Sequence, residues 1–350
     1  MAKVMVLGAG GSASTNYVRS LRIAYNKYYL IGVDCNKFYL QRAETDKKFL
    51  VPKSDNLDYI SALNEVIDKN RVDFIHPQND SEVCVVAENR DRLHAKTFLP
   101  PTITVYNCQN KWVSRRFWES AGIKHPVTFL IKNEDDLQQA FREIKGFMWL
   151  RDVQGAGGKG SLKTDDYQVA EEWIKYKQGW GNYTVAEYLS DRTTTFTTIW
   201  KDGVLIAAQG RKRIYWELGP AFLSGVSGAT GAGQIDNDPK VADTAIMSIK
   251  AIDPEPNGIY SVDMTYGQDG LPYPTEINIG RFFTTHFFFA KAGFNMADIY
   301  TRIGLGEYVL VNKINPLKPN LVWIRGIDFE PILTTMEKID ACNGGRSDQK

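Results

Sequence analysis

The 350-residue sequence is poor in cysteine and histidine, with four of each. Cys35, Cys84, Cys108 and Cys342 are widely spaced and form no Cys-x-x-Cys pair. That argues against a disulfide framework and for free thiols in a reducing compartment. The histidines are equally scattered, so no zinc-ligand spacing arises. An excess of one charge is also missing: 42 Lys and Arg face 41 Asp and Glu, a formal net charge of +1. With no Lys/Arg-rich run, nucleic acid is not an expected partner. The longest apolar stretch, Phe282–Ala290, is interrupted by Thr284, Thr285 and His286. It falls far short of the roughly 20 residues that cross a bilayer. The chain passes from Met1-Ala2-Lys3 straight into a strand-like run, so no secretory leader and no membrane partner are expected, and the reading is cytoplasmic. Internal repeats and low-complexity tracts are absent.

What is present is an ordinary globular composition, 43% hydrophobic and 24% charged. Short apolar runs at Lys3–Leu7, Tyr29–Val33 and Val72–Ile75 alternate with helix-spaced segments such as Asp58–Ile67. This alternation predicts a parallel sheet covered on both faces. Pro100-Pro101 reads as the end of that unit. Helices are expected over Lys111–Ala121, Asp135–Ile144, Val241–Lys250 and Asn295–Ile303, and strands over Phe147–Val153, Thr184–Leu189, Thr194–Trp200 and Val204–Ala208. The Gly/Ser-rich stretch from Ser224 to Gly233 reads as a mobile surface loop. A further strand-like run, Leu321–Ile324, precedes a polar tail from Asn343 to Lys350.

Two stretches carry chemistry together. In the first, Asp263 closes one β-like run, Asp269-Gly270 makes a turn, and Glu276 and Asn278 lie two apart on the return strand. Period-two geometry puts Glu276 and Asn278 on one face, and a hairpin can bring Asp263 beside them. Such an oxygen set suits Mg²⁺, which takes carboxylate and amide oxygens together with substrate phosphates. The second stretch is Gly155-Ala156-Gly157-Gly158-Lys159-Gly160-Ser161, a loop whose backbone N–H groups and Lys159 suit phosphates. Arg151 enters that loop on a strand, and Lys111 is a further candidate cation. Val185–Leu189 is a short strand whose backbone, at Glu187, Tyr188 and Leu189, could offer adenine one acceptor and one donor. Gly8-Ala9-Gly10-Gly11-Ser12-Ala13, with Asp34 ending the next strand, is an imperfect dinucleotide pattern. Alternatively, Gly10, Gly11 and Ser12 bind a substrate anion or only turn the chain. Arg211 and Arg213 suit a carboxylate clamp or, equally, a solvated strand edge.

The order of these motifs resembles the ATP-grasp superfamily, in the branch similar to the carbamoyl phosphate synthase large subunit and its stand-alone carboxylate–amine ligase relatives. The resemblance runs from about residue 1 to 310. It includes Val72–Asp80, Asn110-Lys111, Ala121–Pro126, the Glu187-Tyr188-Leu189 hinge, and the set Asp263, Glu276 and Asn278. The first two of that set are thirteen residues apart, as in the family (276 minus 263). Most members carry Lys-Pro where this chain has Arg151-Asp152; the carbamoyl phosphate synthase branch uses Arg. The family often places a ribose-binding Glu where Thr193 stands. Its Glu-x-Asn-Pro-Arg is one residue longer here, Glu276–Arg281, which leaves Arg281 as the candidate for steadying an acyl phosphate.

The resemblance implies an α/β chain with a Rossmann-like, pre-ATP-grasp domain over residues 1–107. An α+β ATP-grasp domain would span 108–315, with a mobile lid at about 124–186, and a C-terminal extension and polar tail 316–350. It implies an ATP-dependent ligase that joins a small carboxylate to a small amine through an acyl phosphate, using ATP and Mg²⁺, with Mn²⁺ as a substitute. Lys111, Arg151, Lys159 and the glycine loop would hold phosphates, and Arg281 and Arg151 would serve the reaction. A homodimer is compatible with this. The alternatives are a kinase for carbamate or another small acid, a nicotinamide oxidoreductase built on the first glycine loop, and a non-catalytic nucleotide sensor.

Overall fold

The structure is a computed structural model. It describes residues 1–350 apart from 156, 159, 310, 327–331, 336 and 338–350. The expected phosphate-binding Lys159, Cys342 and the tail from Asn343 to Lys350 lie outside the described residues.

Strands β1 (Ala2–Val6), β2 (Tyr28–Asp34), β3 (Lys47–Leu50) and β4 (Phe74–His76) pair in the order β3-β2-β1-β4, all parallel. Helices α1 (Ser12–Arg22), α2 (Lys37–Gln41), α3 (Tyr59–Asn70) and α4 (Asp80–Glu88) connect and follow them. The run Leu30-Ile31-Gly32-Val33 is buried throughout, because a crossover-linked parallel strand is covered on both faces. In α3 the residues Tyr59, Ile60, Leu63, Val66 and Ile67 all face inward, as their helical spacing predicts. Asn79 caps α4 by accepting from Glu82 N, which fixes the helix start at Asp80.

Past Pro100-Pro101 the chain forms α5 (Thr102–Gln109), which the sequence reading missed, and then α6 (Lys111–Ser120). The side chain of Asn110 caps α6 through Val113 N, so Lys111 is the first helical residue. Gly122 follows in the left-handed region (φ 68°) and stops the helix. Next come β5 (Thr128–Ile131), α7 (Glu134–Glu143), β6 (Met148–Asp152), β7 (Leu162–Thr164), α8 (Tyr167–Tyr176) and β8 (Tyr183–Glu187). Their strands form an antiparallel sheet, β5-β8-β6-β7, with a core of its own that includes Ile131, Leu137, Leu150, Ile174 and Val185.

The rest of the chain builds the largest sheet. It contains β9 (Thr193–Lys201), β10 (Val204–Trp216), β11 (Thr230–Asp236), β12 (Gly258–Tyr266) and β13 (Pro272–Ile279). Helix α9 (Pro239–Ile252) lies between β11 and β12 in the chain, and α10 (Phe287–Lys291) and α11 (Met296–Leu305) follow β13. Then come β14 (Lys313–Ile314), β15 (Leu321–Ile324) and β16 (Ile332–Thr335). The sheet order is β13-β12-β9-β10-β11-β15-β16, with β14 on β10.

Two sequence readings change here. The Ser224–Gly233 stretch is a loop only in its first part. From Thr230 it is the buried strand β11. The segment beyond 316, read as an extension, is woven into the sheet, because β15 pairs antiparallel with β11 and buries Val322 and Trp323. The apolar run Phe282–Ala290 contains α10, packed inside the protein. Among the described residues no helix is long and apolar enough to cross a membrane. Cys35, Cys84 and Cys108 are free.

The parallel sheet and the large sheet share their cores. Val4, Tyr17 and Phe74 belong to one apolar cluster with Phe282, Phe288, Tyr300 and Trp323. Helix α11 makes this junction: a Cβ on its Gly304 would lie 2.2 Å from the Phe74 ring. Gly304→Ala raises helix propensity by up to about 1 kcal/mol, but overpacking against a fully buried ring costs roughly 1–3 kcal/mol. The expected result is a net loss of about 1–2 kcal/mol in chemical denaturation. Phe74→Leu added to Gly304→Ala should recover part of it, and additive losses would show that the two residues do not collide.

Candidate active site

A cleft of about 1220 Å³ opens where the three sheets meet. That exceeds the roughly 300–1,000 Å³ of a typical small-molecule pocket, so it has room for a nucleotide and a second ligand. The hairpin β12–β13 forms its floor. Its register sets Asp263 directly opposite Glu276 and Ser261 opposite Asn278. On the other side β12 pairs Asp263 with Thr195 of β9, and β9 pairs Thr195 with Arg211 of β10. One cross-strand row therefore reads Glu276, Asp263, Thr195, Arg211.

Hydrogen bonds join this row. Thr195 Oγ1 donates to Asp263 Oδ1 at 2.5 Å, and Arg211 Nη2 donates to Thr195 Oγ1 at 3.0 Å. Asn278 Nδ2 donates to Asp263 Oδ2 at 2.9 Å, and Arg281 Nη2 to Asn278 Oδ1 at 2.7 Å. Arg281 is anchored from the first domain by Asp80, with Nε–Oδ1 at 2.5 Å. Glu276 faces Lys111 Nζ at 3.5 Å and Arg151 Nη1 at 3.7 Å. Lys111 also donates to Gly155 O at 2.8 Å, and Arg151 Nη2 to Thr275 O at 2.6 Å. Lys111 and Arg151 thus lie between the glycine loop and the hairpin.

The electrostatics follow from this crowding. Burial, with the adjacent Glu276 charge adding to it, pushes the Asp263 carboxyl up. Burial also acts to raise Glu276, but Lys111, Arg151 and Arg281 outweigh it and hold this carboxylate below its usual range. Burial pulls Lys111 and Arg151 down while Glu276 opposes it. For Arg281 burial is overcome, mainly by Asp80, and the guanidinium is held charged. Two carboxylates directly opposite each other on adjacent strands repel. A divalent cation with oxygen preference relieves that repulsion. The donor set of Asp263, Glu276 and Asn278 fits Mg²⁺, whose other ligands are phosphates and water.

The remaining expected residues lie around the same cleft. Gly155, Gly157, Gly158 and Ser161 line it. Gly157, Gly158 and Gly160 have positive φ, and a Cβ on Gly158 would meet Val226 O at 2.6 Å. The loop ahead of β11 is therefore packed on the glycine loop. Glu187, Tyr188 and Leu189 line the cleft, and Glu187 Oε1 accepts from Val127 N at 2.9 Å. Its carboxylate is thus turned towards β5. The Lys163 ammonium sits 3.7 Å from the centre of the Tyr188 ring. At Thr193, where a ribose Glu was noted as missing, the hydroxyl accepts from Arg213 Nη1 at 2.5 Å. Arg211 and Arg213 are not a solvated edge. Arg211 is 2% exposed, and both line the cleft.

The first glycine loop departs from the dinucleotide pattern. Gly10 N donates to Asp34 Oδ2 at 3.0 Å, and a Cβ on Gly10 would lie 2.1 Å from Tyr39 O. The bareness of Gly10 serves the protein's own backbone, and the Asp34 carboxylate is spent on the loop. Gly11 and Ser12 do line the cleft. Glu82 sits beneath this loop, pushed up to about 8 by burial despite the Tyr59 hydroxyl.

Sequence reasoning missed Asp80, Trp149, Thr195, Trp216, Thr230 and Phe283, all of which line the cleft or bond within it. Trp149 had a signal, because it stands two residues before Arg151 on one strand face. Thr195 and Thr230 had none, since their role comes from pairing with strands distant in sequence.

The opposed carboxylates make a stability prediction. Without metal, Asp263→Asn removes a like-charge contact worth about 0.2–1 kcal/mol. The midpoint of thermal unfolding in EDTA should rise by roughly 1–4 °C. The same variant should lose the stabilisation that Mg²⁺ with ATP gives the wild type. A lowered midpoint in EDTA would show that Asp263 is a structural carboxylate.

Residues 4–99 match the family model described as the PylC-like N-terminal domain. Across nearly the whole chain the fold is similar to several solved structures. One is the N5-carboxyaminoimidazole synthetase of Staphylococcus aureus complexed with ADP, at 15% identity and a TM-score of 0.71, covering 92% of this chain and 82% of that one. A second is the biotin carboxylase domain dimer of the Hydrogenobacter thermophilus 2-oxoglutarate carboxylase, in complex with MgADP, ADP and bicarbonate. It has 14% identity and a TM-score of 0.71, over 93% and 74%. A third is the L-amino acid ligase of Bacillus licheniformis, at 13% identity and a TM-score of 0.70, over 92% and 79%. The protein accordingly has the ATP-grasp fold that these enzymes share, as its motif order led one to expect.

Proposed function

We propose that the protein is an ATP-dependent ligase that joins a small carboxylate to a small amine through an acyl phosphate. The carrying observation is the position of Glu276. It is opposed to Asp263 on the neighbouring strand and faces Lys111 and Arg151, which reach in from the glycine-loop side. Those two cations pair with Glu276 at 3.5 and 3.7 Å. With a triphosphate present they have phosphate oxygens to pair with, and Glu276 is released towards metal.

Asp263, Glu276 and Asn278 would hold Mg²⁺, which supplies charge neutralisation on the phosphates. Lys111 and Arg151 hold the phosphate chain, with the Gly155–Ser161 backbone above it. The nucleotide base lies at the Glu187–Leu189 hinge, near Trp149 and Tyr188. An oxygen of the acid attacks the γ-phosphorus, the bond to the bridging oxygen breaks, and ADP leaves. Arg281, steadied by Asp80, pairs with the acyl phosphate. The amine nitrogen then attacks the acyl carbon, phosphate departs, and the amine proton goes to solvent. The β5–β8 sheet and its glycine loop act as the lid, because an acyl phosphate hydrolyses in open water. The ADP and MgADP complexes of the S. aureus and H. thermophilus enzymes support this use of the cleft. A cytoplasmic setting and a homodimer fit the same reading.

The test is ADP release with MgATP, an acid and an amine. Glu276→Gln keeps the volume and removes the charge, and should lower turnover on the order of hundredfold or more, with an unchanged circular dichroism spectrum. A folded Glu276→Gln protein releasing ADP at near wild-type rate would refute the assignment.

A further inference from the structure

Three of the five described cations that line the cleft lie within ion-pair distance of a carboxylate, and two do not. Lys111 and Arg151 face Glu276, and Arg281 is paired with Asp80. Arg211 and Arg213 have no such partner among the described residues. Arg211 donates to Thr230 Oγ1 at 3.1 Å and Thr195 Oγ1 at 3.0 Å, and its buried Nε has no partner. Arg213 donates to Thr230 Oγ1 at 3.0 Å and Thr193 Oγ1 at 2.5 Å. All these acceptors are neutral. The guanidinium of Arg213 lies 3.4 Å from the centre of the Trp216 ring, and that of Arg211 lies 5.0 Å from Phe283.

Burial pushes Arg211 down to about 10 although the Asp263 charge opposes it, and burial together with the Arg211 charge pushes Arg213 down to about 9, so both remain charged at neutral pH. With only neutral hydrogen-bond acceptors, the buried Arg211 and the half-buried Arg213 are incompletely compensated until an anion reaches them. Their positions differ in function. Arg211 is in the row with Asp263, beside the reaction centre. Arg213 stands two residues further along the same strand face, about 6.6 Å away. Its guanidinium lies over the Trp216 ring, and both residues line the cleft.

We propose that the acid substrate carries two carboxylates: one is activated beside Asp263 and Arg211, and the other is held unreacted by Arg213 over Trp216. This rests on the ligase reading above and names its substrate class. One guanidinium offers a planar fork and one unit of charge, which match a carboxylate monoanion. A phosphate group, at about −2, exceeds that single charge. The product is an amide that keeps one free carboxylate.

The experiment uses the full chain with MgATP and hydroxylamine as the amine, reading both ADP and hydroxamate. Succinate, glutarate, aspartate and glutamate are compared with butyrate, pentanoate and 2-aminobutyrate. Diacids should exceed matched monoacids in kcat/KM by at least about tenfold, with the difference mainly in KM. Arg213→Gln should bring the two series within about threefold, and Arg213→Lys should keep part of the preference. If the Gln variant does not fold, the wild-type comparison decides alone. Equal use of the two series overturns the diacid inference and leaves the ligase reading standing. So does an Arg213→Gln loss that is the same for both. Hydroxamate and ADP from neither series overturns both readings.

Discussion

The site depends on one unfavourable contact, Asp263 opposite Glu276 on adjacent strands. Like charges at that spacing repel, and the cost grows as water is removed. The surrounding groups are arranged around this cost. Lys111 and Arg151 come in from the glycine-loop side, Arg281 follows the return strand, and Thr195 and Asn278 bond Asp263. The arrangement leaves a strong field in a cleft that a nucleotide and metal can enter. Charged groups fixed before a ligand arrives need little reorganisation when it does.

The register of the large sheet carries this arrangement outward. Thr195 pairs with both Asp263 and Arg211, so one hydroxyl links the candidate metal-binding carboxylate to the buried guanidinium. The parallel sheet contributes Asp80, the anchor of Arg281, from the capped start of α4. Burial of Phe74 against α11 holds that sheet in place relative to the hairpin. The reaction centre is thus assembled from three parts of the chain, each rigid through its own packing.

Much of the candidate site was legible in the sequence. Asp263, Glu276 and Asn278 could be grouped because hairpin geometry and the period of two are local rules. The glycine loop and Arg151 could be grouped because they adjoin. The first glycine loop stayed open in the sequence between a dinucleotide pattern, an anion site and a plain turn, because sequence cannot show that Tyr39 occupies the space beside Gly10. The Ser224–Gly233 stretch misled for a related reason. Its glycines read as flexibility, whereas they permit close contact with the phosphate loop and a buried strand.

By itself the sequence determined the alternation of strands and helices, the hairpin that groups the candidate metal-binding oxygens, and the cationic residues that approach it. These follow from short-range periodicity, turn chemistry and side-chain type. Only the tertiary structure decided that Arg211 is buried and Arg213 half-buried, neither in an ion pair among the described residues, that Asp80 anchors Arg281, and that residues 321–324 belong to the sheet. Those facts depend on strand order and register between segments far apart in the chain. Register between distant strands is set by the packing of the whole core and has no local signature.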